Sequence, residues 1–359
     1  MKKILWLSLS LIIAIFSFAC AAPAAYIDLV KPWHGVYEKA TYDVSFYYYL
    51  KNDQTANANL KDKIILDPLE NNAPKIKIAS GTMDYIIEQD DETKNTWKLS
   101  TNLSMTYLPK EDFSEAVLGK EEYNNFVGAK AYLGIKNFGV TDTMSSTVVF
   151  NMNSDKLFRP ISVSKSFNEL SKAENTTDPI TLDYSFDYTS RKLTYSYNGE
   201  SQKTNSYKAK EIKSGYDNEQ LFLFVRALDK ESFATGSSLS INNVYNWTDA
   251  TAIEEPTAYT INMSVDEKLK SLPVSESFLP QLEGVATDSK LSVYDVTLSK
   301  SSTNQSGSPL KVWYSKMGIS ADGLFADKLM IKAVQETKDV SQVRRVFSIS
   351  YDIAALEIR

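Results

Sequence analysis

The sequence predicts a mainly β fold: a large curved antiparallel sheet, as a half-barrel or open barrel, with one or two short helices. Apolar and polar residues alternate with a period of two along most of the chain, the mark of half-buried strands. Aromatic residues are abundant, with 21 tyrosines and 16 phenylalanines against 13 glycines and 11 prolines, and aromatic side chains suit a pleated surface. No strand–helix–strand alternation occurs, which argues against a doubly wound parallel sheet.

A leader precedes the first strand. Lys2 and Lys3 open the chain, an uncharged run follows from Ile4 to Phe18, and small residues cluster from Ala19 to Ala25. That order reads as a signal peptide or lipoprotein leader over residues 1–25, with a single β-rich domain over 26–359. The apolar run falls short of the ~20 residues a membrane-spanning helix needs. Cys20 is the only cysteine. It stands where a lipoprotein leader carries its lipid-attachment residue, whereas cleavage after Ala21 or Ala24 would discard it. With one cysteine, no disulfide can form within the chain. The expected compartment is extracytoplasmic (periplasm, outer membrane or cell surface), with membrane association if Cys20 carries a lipid anchor.

The first strand is read from Tyr42, Val44, Phe46, Tyr48 and Leu50, which share one face. Residues 83–87 and 97–105 flank the acidic run Glu88 to Glu92, a hairpin with a charged tip. Thr147–Met152 and Ile161–Phe167 follow, separated by an Asn153-Ser154-Asp155 turn. Mid-chain, Leu182, Tyr184, Phe186 and Tyr188 alternate with polar residues, turn at Thr189 to Lys192, and return through Leu193, Tyr195 and Tyr197. Asn198-Gly199 then supplies a hairpin turn, because type I′ turns need positive φ at both central positions. Later strands are Tyr259–Val265, Leu291–Leu298, Leu310–Tyr314, Lys328–Val334 and Val346–Ile353. Glu174–Asp178 and Ser301–Ser308 read as loops.

Helix is scarce. Glu111–Phe126 holds one or two short turns, broken near Gly119. Asn218–Leu228 is the better helix, with Asp217 as its cap and Leu221, Phe222, Val225 and Leu228 on one face. Arg226 lies near its C-terminal end. There it can cap the last carbonyls, pair with a strand carboxylate, or anchor a ligand; it is the candidate ligand-binding residue.

Catalytic sets are missing. His34 is the only histidine, and it reads as a loop residue beside a packed Trp33. One histidine and no cysteine after Cys20 leave the usual zinc ligand sets incomplete. No Gly-x-Ser-x-Gly elbow or Gly-rich phosphate loop appears. The carboxylate pairs Asp90–Asp91 and Glu254–Glu255 read as solvated turns, and Asp183 with Asp187 offers at most a conceivable calcium site. No catalytic residue, metal or cofactor is therefore expected. The net charge of −6, with no long basic run, argues against nucleic acid as a partner.

The ordered elements resemble a family of uncharacterised, secreted bacterial envelope proteins built on a domain of unknown function. Tyr42-Asp43-Val44-Ser45-Phe46 matches its opening strand, and Phe158-Arg159-Pro160-Ile161-Ser162-Val163 a strand after an Arg-Pro turn. Phe186-Asp187-Tyr188 matches its hairpin. The stretch from Tyr216-Asp217 to Arg226-Ala227-Leu228 matches an Asp-led short helix, and Pro309 to Ser315 a Trp-led strand. The likeness spans most of residues 36 to 356. It implies a curved antiparallel sheet similar to the half-barrels of lipoprotein carriers, and no known activity.

The function expected from these features is that of a non-enzymatic envelope protein. Its ligand would be a lipid, acyl chain or other apolar or extended molecule held on an aromatic concave face. The alternative is a structural or adhesive surface protein acting through its sheet edges.

Overall fold

The computed structural model describes residues 29, 31–51, 57–153, 158–172, 179–206, 216–246, 256–266, 268–275, 278, 290–301, 309–321, 323–338 and 345–359. The expected leader with Cys20, the expected Glu174–Asp178 loop, residues 302–308, Glu254, Glu255, and Ser154 with Asp155 of the expected turn lie outside the described residues.

β1 (Tyr37–Tyr49) sits near the middle of a 17-stranded sheet. On one side it pairs antiparallel with β3 (Ala73–Asp91), on the other with β19 (Arg345–Ile358). From β3 the first wing runs outward as a meander. Its strands are β4 (Thr96–Tyr107), β5 (Thr141–Asn151), β6 (Pro160–Asn168), β7 (Ile180–Asp187), β8 (Lys192–Tyr197) and β9 (Lys203–Ser206). From β19 the second wing runs through β18 (Met330–Lys338), β15 (Leu310–Ser315), β14 (Lys290–Ser301), β12 (Thr257–Asp266) and β11 (Ser238–Asn246). β10 (Tyr216–Asp217) closes that wing parallel to β11. Two short strands, β2 (Ile64–Asp67) on β3 and β13 (Ser271–Pro273) on β14, fill gaps beside longer neighbours. β16 (Ile319–Ala321) and β17 (Leu324–Ala326) form a separate ribbon.

The alternation read in the sequence is the alternation of burial. Tyr42, Val44 and Tyr48 are buried along β1, and Tyr184, Phe186, Leu193 and Tyr195 along β7 and β8. The hairpin of β3 and β4 is longer than expected. β3 continues through the acidic run to Asp91, because Glu88 pairs with Tyr37 on one side and forms an ion pair with Lys98 on the other. The tip is then residues 92–95, where Asp91 accepts from the Thr93 amide at 3.0 Å and Asn95 takes φ 51°.

The first helical segment splits at Gly119, φ 77°, into α1 (Glu115–Leu118) and α2 (Lys120–Tyr132). α2 outruns the expected end at Phe126 by more than a turn. α3 (Leu221–Ala227) follows a 3-10 turn, Asn218–Gln220. The Asp217 carboxylate accepts from the Glu219 amide at 2.8 Å, and the Asp217 amide donates to Gln220 Oε1 at 3.1 Å. That reciprocal cap satisfies donors a helix start leaves open.

α3 lies inside the curve of the sheet. Leu221, Leu223, Phe224 and Val225 are buried in one core with Tyr42 of β1, with Tyr85, Leu99, Val163 and Tyr184 of the first wing and with Ile241, Val296 and Tyr314 of the second. The concave aromatic face expected to lie open is thus buried, filled by α3 and by contacts between the wings, such as Phe186 on Tyr245 at 5.1 Å. A second core closes one mouth of the curve, where Phe113, Leu118 and Phe126 pack on Tyr48, Ile76, Ile78 and Phe347. Burying each such side chain contributes roughly 1.5–3 kcal/mol.

Candidate functional site

Three places bring polar or open chemistry together. The first is the mouth covered by α1 and α2. Phe113, Phe126 and Phe138 pack in a triangle with ring centroids 5.2, 5.4 and 5.9 Å apart, and Tyr48 meets Phe126 at 5.1 Å. The cap is pinned from below. Glu122, buried on α2, accepts from the Tyr48 hydroxyl at 2.7 Å and from the Lys51 amide at 3.1 Å. Above the rings a pocket of about 300 Å³ opens, walled by Phe113, Tyr123, Phe126, Val127 and Phe138 with Lys110 and Lys130 at its polar side. Lys130 Nζ stands 5.5 Å from the Phe138 ring centre. Glu111 and Glu115 also line it, so the rim carries both signs and the floor is aromatic.

The second place holds the candidate Arg226. Its guanidinium meets Glu38 of β1 through Nη1 at 2.5 Å and Nη2 at 3.0 Å. Nε donates to the Asp327 carbonyl at 3.2 Å and Nη2 to the Pro32 carbonyl at 3.4 Å. Both side chains are at most 2 % exposed. The arginine therefore joins helix to strand in a buried pair, directed at protein acceptors and not at an opening. Burial opposes its charge, but Glu38 outweighs that and holds the pKa above the ordinary value. Lys328 completes the end of α3 by donating to the carbonyls of Arg226 at 2.9 Å and Leu228 at 2.8 Å. Around the same helix, burial pushes the phenols of Tyr85 and Tyr314 well up, with Arg226 opposing.

The third place is the seam where β6 and β7 of the first wing meet β10 of the second. Lys165 is fully buried. Its Nζ lies 3.3 Å from Asp217 Oδ1 and 3.3 Å from Glu219 Oε1. The Tyr184 hydroxyl donates to Asp217 Oδ2, and the Tyr85 hydroxyl to the Glu219 carbonyl at 3.2 Å. Burial disfavours the Lys165 ammonium, yet the two carboxylates overcome it and raise its pKa. Burial and Asp217 together push the Tyr184 phenol well up. Beside Lys165 in the sheet stands Ser146, and beside Ser146 stands Thr101. Both hydroxyls are buried without a partner among the described residues.

Sequence reasoning did not single out Lys165, Glu38 or Glu122. The signal for two of them was parity. Lys165 falls between Val163 and Phe167 on the inward face of its strand, and Glu38 shares the face of Ala40, Tyr42 and Val44. A charge on an apolar face must be paired. For Glu122 no such signal exists, since its partners come from a distant strand end.

The remaining candidates do not converge. His34 is a loop residue, half exposed at 52 %, with Nε2 3.7 Å from Asp327 Oδ2 and its ring near Phe325. Trp33 beside it is buried against Trp97 at 5.0 Å. Asp187 accepts from the amides of Thr189 and Ser190 at 2.9 and 3.0 Å, closing its own turn. Asp183 lies in a shallow hollow of about 260 Å³ with Thr147, Ser164 and Ser196. No group of three or more His, Cys, Asp and Glu side chains suited to a metal occurs among the described residues.

No protein-family model matches the chain, and no curated protein matches it in sequence. Among solved structures, it is similar to a β-barrel-like protein of the domain of unknown function DUF1849 from Brucella abortus. The two share 10 % identity over 91 % of this chain and 99 % of that one, with a TM-score of 0.47. The enduracididine biosynthesis enzyme MppR aligns at 8 % identity over 93 % of this chain and 91 % of that one, with a TM-score of 0.10. Neither overlap is close enough to carry a fold or an activity across, so the β-rich architecture rests on the strands described above.

Proposed function

We propose that the chain is a non-enzymatic, extracytoplasmic envelope protein that binds a small apolar ligand, an acyl chain or a lipid tail, at the mouth of its curved sheet. One observation carries this reading: the open aromatic pocket beside α2 of the cap. It is of ligand size, its walls are the rings of Phe113, Tyr123, Phe126 and Phe138, and its side is open. The leader supports the compartment, and Cys20 supplies a point for a lipid anchor.

Titrating the purified chain with a fluorescent fatty acid tests the pocket. Saturable binding is expected, displaced by unlabelled decanoate. Val127 lines the pocket from the exposed side of α2, so Val127→Asp places a charge in it without opening the core. Affinity should fall about tenfold or more, the scale of losing ~1.4 kcal/mol, with the thermal midpoint unchanged. Equal binding by that variant, or no saturation in the parent, removes this reading. Labelling with radioactive palmitate, with Cys20→Ala as control, tests the anchor separately.

A further inference from the structure

We propose that Lys165 and Asp217 become joined by an intramolecular amide bond, formed inside the folded chain with Glu219 as the proton carrier. The seam already holds a nucleophile, an acyl carbon and a carboxylate shuttle together. Lys165 and Asp217 side chains are 0 % exposed and Glu219 14 %. The amine nitrogen lies 3.3 Å from one oxygen of each carboxylate. The elements fix that arrangement: Lys165 projects from the middle of β6, while the cap at the start of the 3-10 turn locks Asp217 and Glu219. Groups held this way react at effective concentrations far above any in solution.

Desolvation favours the product. A charged pair enclosed in aromatic packing carries a desolvation penalty, whereas an amide is neutral. The surroundings supply that packing, since Tyr184, Phe186 and Tyr245 meet edge to face at 5.7 and 5.1 Å. Oδ2 of Asp217 already accepts from Tyr184. A hydroxyl so placed stabilises the oxyanion that develops on that oxygen during attack.

The step balances without any added reagent. Glu219 takes a proton from the Lys165 ammonium and passes it to Asp217 Oδ1, leaving a neutral amine facing a neutral acid. The Nζ lone pair attacks Cγ; the C–N bond forms, and the carbonyl pair moves onto Oδ2. Glu219 carries a second proton from nitrogen to Oδ1. The Oδ2 pair then re-forms the carbonyl, the Cγ–Oδ1 bond breaks, and water leaves. Ammonium and carboxylate become amide and water, nothing is oxidised or reduced, and Glu219 ends as a carboxylate. The amine starts in its charged form, so bond formation follows folding as a slow step.

The bond would tie the two wings through β6 and β10, a covalent brace in a chain with no cysteine pair. Intact-mass spectrometry of the folded protein is expected to show the chain lighter by one water. Proteolysis should yield one branched peptide joining Lys165 to Asp217, with no tryptic cut after Lys165. Glu219→Gln keeps the hydrogen bonds but cannot ferry a proton; its mass should be that of the unmodified chain while its circular dichroism matches the parent. Three results overturn the proposal: full mass in the parent after weeks at growth temperature, a lost water that maps to another residue, or a branched peptide that forms equally in the Glu219→Gln chain.

Discussion

Removing one partner of the Arg226–Glu38 pair strands the other charge in the core, at a cost of about 3–5 kcal/mol. Glu38→Gln is expected to lose stability on that scale in urea unfolding; a loss under ~1 kcal/mol would show that the arginine finds another acceptor. Thr101 presents the opposite case. Its buried hydroxyl has no partner among the described residues, so Thr101→Val should be neutral or stabilising by up to about 1 kcal/mol; a clear loss in the same assay would reveal a hydrogen bond. Asp67 sets a pH dependence. Burial raises its pKa, but Lys75 and Tyr49, each at 2.7 Å, and the Leu69 amide outweigh that and leave it lowered. A carboxyl lowered on folding adds stability above its unfolded pKa of about 3.9, and loses it as pH falls through the folded value. The stability gap between parent and Asp67→Asn should therefore hold near neutrality and narrow below about pH 4. A gap constant down to pH ~2 would mean the carboxylate is not what Lys75 stabilises. Parity carried the signal for Lys165, which sits in step with Val163 on the buried face of β6, but the sequence reading passed it over. Arg226 was legible as a charge beside an apolar stripe, but its partner was not, because Glu38 is brought to it by pairing across the sheet.

At the scale of elements, Gly81 controls how β3 lies against β4. A Cβ there would fall 1.8 Å from the Ser104 carbonyl oxygen. Gly81→Ala forces two backbones apart, and a loss of about 3 kcal/mol or more is expected, beyond the 1–3 of ordinary overpacking. An unchanged thermal midpoint would show that the ladder relaxes freely there. The hairpin of β7 and β8 was readable because local rules agree: alternation marks both strands, and Asn198 and Gly199 take φ 46° and 71°, as the next turn requires. β9 and β10 escaped notice because Lys-Thr-Asn-Ser has no apolar residue and Tyr216-Asp217 is only two residues long. β11 was hidden by the register shift between Ile241 and Val244, which breaks its alternation. α2 ran past its expected end since an exposed helix face gives no periodic stop signal before Gly134, at φ 71°.

For the molecule as a whole, curvature and filling were separable. Alternation shows which side is buried, so the curved sheet could be read from the sequence. What covers the buried side depends on which distant segment swings into it, and alternation is silent on that. The answer, α3 inside and α1 with α2 across the mouth, puts the ligand pocket proposed above at the end of the concavity instead of its middle. It also makes the two wings interdependent, since Tyr85 of β3 and Tyr314 of β15 both donate to carbonyls of the turn and helix between them, at 3.2 and 3.4 Å.

The place of β1 between β3 and β19 has a consequence for the order in which the molecule can assemble. Its first neighbour follows within a few dozen residues, but its second lies far along the chain, at Arg345–Ile358. Until residues 345–358 emerge, one long edge of the central ribbon has nothing to pair with. Such distant pairing makes completion slow. Under the export proposed above, a late closing strand would keep the chain loose enough to thread through a translocation pore before it sets.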